Sequence, residues 1–313
     1  MTVIYTVRLF LFRELSRTIL LYALLLDVVG LHRKVEGLGI NYGQLGDNLL
    51  PPARVVQLLQ ACKFTKVRIY DTNPQILTAF ANTGIELIVT VENAKLAGLS
   101  ADAQQASQWV AANIQPYFPA TRITGIAVGN EVITAEDTTS MGYLVPAMRN
   151  IHAALVALGF DPYIKVDAVL AAIYMLGFNR VEVRVSETGW PSAGDANEVG
   201  ATPQNALTYN RNLVRRQMLN EGTPLRPGMR LEIYLFALFN EDSKPGPTSE
   251  RNYGLFLPNG VAAYDIGLLT TTSPSSATIS LSSTAAPIKV EHMKYQRFMY
   301  MMIIVLLLGW QVL

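Results

Sequence analysis

Between Gly37 and Thr270 the chain alternates short β-branched apolar runs with longer stretches whose apolar residues recur at helical spacing. The short runs read as strands at Leu38–Tyr42, Lys66–Tyr70, Ile85–Val91, Ile123–Val128, Tyr163–Val166, Val181–Ser186 and Arg230–Leu238. The longer ones read as helices at Pro51–Cys62, Pro74–Ala81, Ala101–Gln115, Met141–Leu158, Asp167–Leu176 and Pro203–Asn220. Start signals accompany several of them: Pro52 in a first turn, Ser100 with Asp102 and Gln104 behind it, and Thr202-Pro203. Gly84 and Gly159 stand where a helix exits through a left-handed residue. Strands that alternate with helices pair in parallel through right-handed crossovers.

A doubly wound open sheet and a closed (β/α)8 barrel both satisfy that pattern. The first strand is followed by Gly43-Gln44-Leu45-Gly46 rather than Gly-x-Gly-x-x-Gly, so the dinucleotide-binding version lacks its phosphate cradle. Polar or acidic residues recur where the strands end: Asn41-Tyr42, Tyr70-Asp71, Glu92-Asn93, Asn130-Glu131, Glu187 and Asn240-Glu241. Barrel enzymes place their chemistry at that face. The expected fold class is therefore α/β, of the (β/α)8 TIM-barrel type, over residues 37–269.

The apolar pattern changes character at both ends. Residues 18–31 are an apolar run behind Arg8, Arg13 and Arg17, which reads as a secretory signal within 1–36, with an uncleaved signal anchor or a mis-assigned start as alternatives. At the other end, small residues at 282–286, a polar spacer from Pro287 to Arg297 and an apolar stretch from Phe298 to Leu313 form the pattern of a glycosylphosphatidylinositol anchor signal. A plain C-terminal tail anchor is the alternative reading of 287–313. The Ser/Thr-rich segment 270–286 reads as a stalk. Export to the outer face of the plasma membrane and the cell wall follows from these readings.

Composition narrows the function. The chain is 50% hydrophobic and 16% charged, which excludes a disordered or long coiled-coil protein. Without residues 1–36 and 286–313, 17 basic side chains face 20 acidic ones, so there is no basic excess for nucleic acid. Cys62 is the only cysteine, and His32, His152 and His292 share no ligand spacing, so neither a metal nor a cofactor is implied. Cys62 falls on an apolar helix face and reads as packing.

Two carboxylates stand out at strand ends, Glu131 in Val-Gly-Asn-Glu and Glu187 in Ser-Glu-Thr-Gly-Trp-Pro-Ser. A carboxylate pair is the minimum equipment for glycoside hydrolysis, one protonated to serve the leaving oxygen and one ionised to attack the anomeric carbon. Asn130 is suited to the sugar 2-hydroxyl, and Tyr42, Tyr70 and Trp190 are aromatic candidates for stacking on pyranose rings.

Gly39-Ile40-Asn41-Tyr42-Gly43, Val67-Arg68-Ile69-Tyr70-Asp71, Val128-Gly129-Asn130-Glu131 and Ser186-Glu187-Thr188-Gly189-Trp190-Pro191-Ser192 resemble the motifs of glycoside hydrolase family 17, the plant endo-β-1,3-glucanases. Phe239-Asn240-Glu241 to Lys244, followed by Glu250-Arg251-Asn252-Tyr253-Gly254-Leu255-Phe256, resembles its C-terminal signature. The resemblance runs in order over about residues 37–268. It implies endo-hydrolysis of β-1,3-glucan by a retaining mechanism, with Glu131 as acid/base and Glu187 as nucleophile. It also implies that Tyr70, Glu241, Lys244 and Glu250 support the nucleophile. Lys244 near Glu187 would favour the ionised carboxylate.

The chain departs from that pattern at one place. Where the family carries a further strand with an Asn-x-Tyr-Pro motif, Val166 abuts Asp167 directly. Only 56 residues separate Glu131 from Glu187, room for two β/α units of roughly 30 residues where the resemblance implies three. Seven strands are expected instead of eight, with two exposed edges or a strained closure. The seam reads as a splice or gene-model product, a poorly folding chain, or a truncated protein that binds glucan without cutting it.

Overall fold

The computed structural model describes residues 38–132, 138–167, 184–222 and 232–268. These belong to the unit Met1–Ser273, and residues 274–313 lie outside the described residues. The expected leader, stalk and anchor signal fall outside them as well. Among the described residues no helix is long and apolar enough to cross a membrane.

Seven strands form one sheet: β1 (Leu38–Tyr42), β2 (Lys66–Ile69), β3 (Glu86–Val91), β4 (Ile123–Val128), β5 (Lys165–Asp167), β6 (Arg184–Thr188) and β7 (Glu232–Leu235). Their order is β5-β4-β3-β2-β1-β7-β6, and every pair is parallel. All five residues of β1 and five of the six in β3 are buried, as expected of strands covered on both faces. The helices are α1 (Pro52–Ala61), α2 (Pro74–Ala79), α3 (Leu96–Ala101), α4 (Ala103–Asn113), α5 (Thr138–Ala157) and α6 (Pro203–Met218). Each buries one stripe, for example Val55, Val56 and Leu59 on α1 and Ala106, Trp109 and Val110 on α4. Cys62 is buried beside the α1 stripe, and burial pushes its thiol up to about 12.

Local signals set most boundaries. The Asn73, Asp102 and Thr202 side chains cap α2, α4 and α6 by accepting from Gln75 N, Gln104 N and Asn205 N. Gly84 and Gly159 adopt positive φ, as expected of helix exits. Ser100 is not the cap of α4; it lies inside α3, an element the periodicity did not separate, and its hydroxyl donates to Ala97 O. Asp167 does not start a helix. It pairs with Ala127 as the last residue of β5, while Tyr163 and Ile164 are still in the turn onto Phe160 O. Residues 168–176 of that expected helix lie outside the described residues.

The sheet curls as an incomplete barrel. Arg68 on β2 reaches both Asn130, just past β4, and Glu187 on β6, strands far apart in the sheet order. Among the described residues β5 and β6 are the two edges, as the shortened strand count predicts. At the N-terminal ends of the strands a row of alternating charges crosses the concave face. Arg122 pairs with Glu86 at 3.0 Å, Lys66 with Glu86 at 3.4 Å and with Glu232 at 3.3 Å, and Arg184 with Glu232 at 3.0 Å. The C-terminal ends are left for chemistry.

Candidate active site

In-register neighbours on parallel strands share a face, so Asn41 and Arg68, paired between β1 and β2, point the same way. That face is the concave one. Both side chains are buried: Arg68 is 4% exposed, and Asn41 Nδ2 donates to Ser186 O at 2.9 Å. Arg68 Nη1 donates to the Glu187 carboxylate at 2.6 Å and Nη2 to Asn130 Oδ1 at 2.8 Å. Its guanidinium also lies 4.9 Å from the Tyr70 ring centroid. Arg68 is the residue the sequence reading passed over, although a lone charge inside Val-Arg-Ile was its signal.

Glu187 does not follow its strand; it lies within β6 and reaches the concave face through an irregularity. Arg184 faces inward, paired with Glu232, so simple alternation would turn Glu187 outward. Between Val185, opposite Ile233, and Thr188, opposite Leu235, β6 carries one residue more than β7. This β-bulge resets the alternation. Glu187 then turns inward to Arg68, while Thr188 turns outward and its hydroxyl meets the Tyr209 hydroxyl of α6 at 2.7 Å.

Glu131 sits on the turn after β4, with φ +54, a conformation that non-glycine residues rarely adopt. Gly129, two residues earlier, has φ +76, and a Cβ there would stand 2.4 Å from Val132 Cγ2. Asn93, beyond β3, braces this turn: its Oδ1 accepts from Asn130 N at 2.7 Å and its Nδ2 donates to Asn130 O at 2.8 Å. With Oδ1 of Asn130 taken by Arg68, the donor end of that amide is its remaining polar function.

The Tyr70 hydroxyl is buried beside Glu187, short of full hydrogen-bond geometry. Burial first, and then the Glu187 charge, hold it protonated well above the usual phenol range. Tyr42 is 2% exposed and packs edge-on against Phe239, with centroids 6.1 Å apart. It is a wall residue with no free ring face to offer a sugar, and burial followed by the nearby Asp71 pushes its hydroxyl up to about 12. Trp190 is 38% exposed, with Nε1 donating to Gly200 O at 2.7 Å and the ring 5.6 Å from that of Tyr209.

Glu241 is 3% exposed and accepts from Leu45 N at 2.8 Å. Its carboxylate occupies the space a side chain at residue 43 would take: a Cβ on Gly43 would lie 2.3 Å from both oxygens. Burial raises the Glu241 carboxyl above its ordinary value, against the lowering effects of the Leu45 N–H and Lys244. Lys244 lies 3.6 Å from Glu250, 4.0 Å from Glu241 and 4.2 Å above the Phe236 ring. The cation that pairs with Glu187 is therefore Arg68, and Lys244 serves the Glu241–Glu250 pair. Among the described residues no group of three His, Cys, Asp or Glu side chains is arranged to hold a metal.

The family description "Glycosyl hydrolases family 17" matches residues 38–167 and 160–268. Glucan endo-1,3-beta-glucosidase 11 of Arabidopsis thaliana is 36% identical over 342 aligned positions, which cover 80% of each chain. Glucan endo-1,3-beta-glucosidase 10 of the same plant is 37% identical, with 77% of this chain and 78% of that one covered. Among solved structures, a beta-1,3-glucanase and allergen of Cryptomeria japonica pollen is 31% identical with a TM-score of 0.70, covering 75% of this chain and 99% of that one. Through these matches and a curled parallel sheet that carries Glu131 and Glu187 at one end, the chain belongs to glycosyl hydrolase family 17 and is a glycoside hydrolase.

Proposed function

We propose that the chain cleaves β-1,3-glucan internally by a retaining double displacement, with Glu187 as nucleophile and Glu131 as acid/base. The observation that carries this reading is the Arg68 bridge, which draws together the strand ends bearing the two carboxylates. A retaining site needs its carboxyls about 5–5.5 Å apart on opposite sides of the glycosidic bond. Arg68 orients the Glu187 carboxylate toward the anomeric carbon. The protonated Tyr70 hydroxyl beside it can donate when that carboxylate is released. The donor end of Asn130 is placed for the sugar 2-hydroxyl, a contact that strengthens as positive charge develops on the ring. The glucan itself is suggested by the names of the relatives.

The test is hydrolysis of a soluble β-1,3-glucan, followed by chain-length analysis and by NMR of the first-formed anomer. A retaining enzyme gives the β-anomer and mid-chain cuts. Glu187→Gln should abolish turnover, and Glu131→Gln should slow it by at least about 100-fold, in the range for loss of a positioned acid/base. An α-anomer, or full activity of Glu187→Gln, would overturn the assignment.

We further infer that Val166–Asp167 marks an internal shortening relative to the family. The family match falls into two pieces that overlap at residues 160–167. The alignment with glucosidase 11 runs to 342 positions, more than the 313 residues of this chain. The residues of the Arg68 bridge all lie on retained strands and turns. For location we propose the outer face of the plasma membrane. That reading rests on the apolar run at 18–31 and the small, polar and apolar succession of 282–313. Release of membrane-bound protein by a phosphatidylinositol-specific phospholipase C tests it; retention after treatment would refute the lipid anchor.

A further inference from the structure

The loop after β6, residues 189–202, is fastened to the loop after β7, residues 240–252, by a line of hydrogen bonds. Ser192 donates to Asn252 O through its N–H at 2.8 Å and its hydroxyl at 3.0 Å. The Asp195 carboxylate accepts from Thr248 N at 3.0 Å and from the Thr248 hydroxyl. The Glu198 carboxylate accepts from Ser249 N at 3.2 Å and from the Ser249 hydroxyl, and turns back on Asp195 N at 2.7 Å. The second loop is itself stiffened by Arg251, which donates from Nη1 to Lys244 O and Gly246 O, both at 3.0 Å. Hydrogen bonds from Thr248 and Ser249 hold the Asp195 and Glu198 carboxyls below their usual range.

The clasped loop runs on to Gly200, whose carbonyl accepts a hydrogen bond from Trp190 Nε1. Trp190 lies three residues past Glu187. Its indole is thus tethered at one edge, flanked by Tyr209, and still more than a third exposed. A fixed, partly exposed ring plane beside polar groups suits the C–H face of a pyranose. A plane fixed in advance loses little ordering entropy when the sugar arrives.

We propose that Asp195 and Glu198 are positioning residues for a pyranose subsite at Trp190. Their clasp on Thr248 and Ser249 fixes the 195–200 turn, the Gly200 carbonyl, and through it the indole plane. The sugar identity rests on the glucan-hydrolase reading above; the clasp and its hold on Trp190 do not.

The test uses the full chain with Trp109→Phe and Trp310→Phe, so that Trp190 is the only indole. Asp195→Ala/Glu198→Ala should raise KM for laminarihexaose roughly three- to tenfold, the fold-change that one or two lost hydrogen bonds carry, with kcat within about twofold. Acrylamide quenching of Trp190 should rise about twofold in the same variant, the mark of a ring released from its tether. Thr248→Val should reproduce both effects from the opposite loop, and Thr248→Ser should restore wild-type values. Unchanged KM and quenching in both clasp variants, with an active wild type, would overturn the clasp and leave the hydrolase reading intact. A fall in kcat at constant KM would also overturn it. Where the wild type binds laminarihexaose without turnover, the hydrolase reading fails; weaker binding by the clasp variants then still supports the subsite. No binding by the wild type would overturn the subsite.

Discussion

Replacing Arg68 by methionine keeps a long apolar stem and removes the charge that joins β2, β4 and β6. The guanidinium is 4% exposed and Glu187 25% exposed, and the two meet at 2.6 Å. Removing one partner of such a buried pair costs about 3–5 kcal/mol, because the other charge is left without its counterpart. Partial exposure lets Glu187 recover some hydration, so a loss of about 3 kcal/mol is expected. In a domain of this size that lowers Tm by roughly 6–12 °C. The bond to Asn130 at 2.8 Å goes as well, so both carboxylate-bearing strand ends lose their tie. If about 2.7 kcal/mol of the positioning is lost from the transition state, kcat/KM falls about 100-fold. Arg68→Lys separates charge from geometry. A single ammonium preserves the charge but cannot form both arms of the fork, so Tm should recover most of its loss while kcat/KM stays at least about tenfold down. Differential scanning calorimetry and reducing-sugar release at matched pH and salt provide the numbers. Arg68→Met with Tm within about 2 °C and kcat/KM within threefold of wild type would refute the bridge as the organiser of the site.

Gly43→Ala should push the Glu241 carboxylate off Leu45 N and lower Tm, since the new Cβ would lie 2.3 Å from both oxygens; an unchanged Tm would show that the two loops move apart freely. Deleting Ser186 removes the extra residue of the β6 bulge and leaves Glu187 directly after Val185, where simple alternation already turns it inward. A folded deletion variant should therefore keep the pair with Arg68 and measurable activity, and a folded variant without turnover would refute the register argument. The raised Glu241 carboxyl has a defined sign: the folded state holds its proton more tightly than the unfolded chain, so this stabilisation is complete below the ordinary value of 4.5 and is lost as pH rises through the folded value. Glu241→Gln should therefore be at least as stable as wild type at pH 7 in urea unfolding, and its stability should vary less above pH 4.5; a variant less stable at pH 7 than at pH 4.5 by the wild-type margin would refute the assignment.

Local chemistry made most of the fold legible. Val- and Ile-rich runs located all seven strands to within a few residues, because β-branched residues and capping side chains act over single turns of chain. The alternation of strand and helix dictated parallel pairing, and with it one polar face where all strand ends gather. The motifs then singled out Glu131 and Glu187 before any contact was known.

What sequence could not settle depends on register and curl. Whether a residue points inward on β6 turns on one extra residue between the Val185–Ile233 and Thr188–Leu235 pairs, which no periodicity reveals. Arg68 became the centre of the site only because curvature brings Asn130 and Glu187 within reach of its two nitrogens. Tyr42 and Trp190 look alike as aromatic candidates in sequence, yet packing against Phe239 buried the first while a backbone tether left the second in the open. The partner of Lys244 was decided in the same way, by where the loop after β7 folds relative to Glu241 and Glu250. Sequence determined which groups are available at the strand ends, since residue type and strand propensity are local; the tertiary structure alone decided which of them meet, since contact between residues 62 and 119 positions apart is a property of the curled sheet.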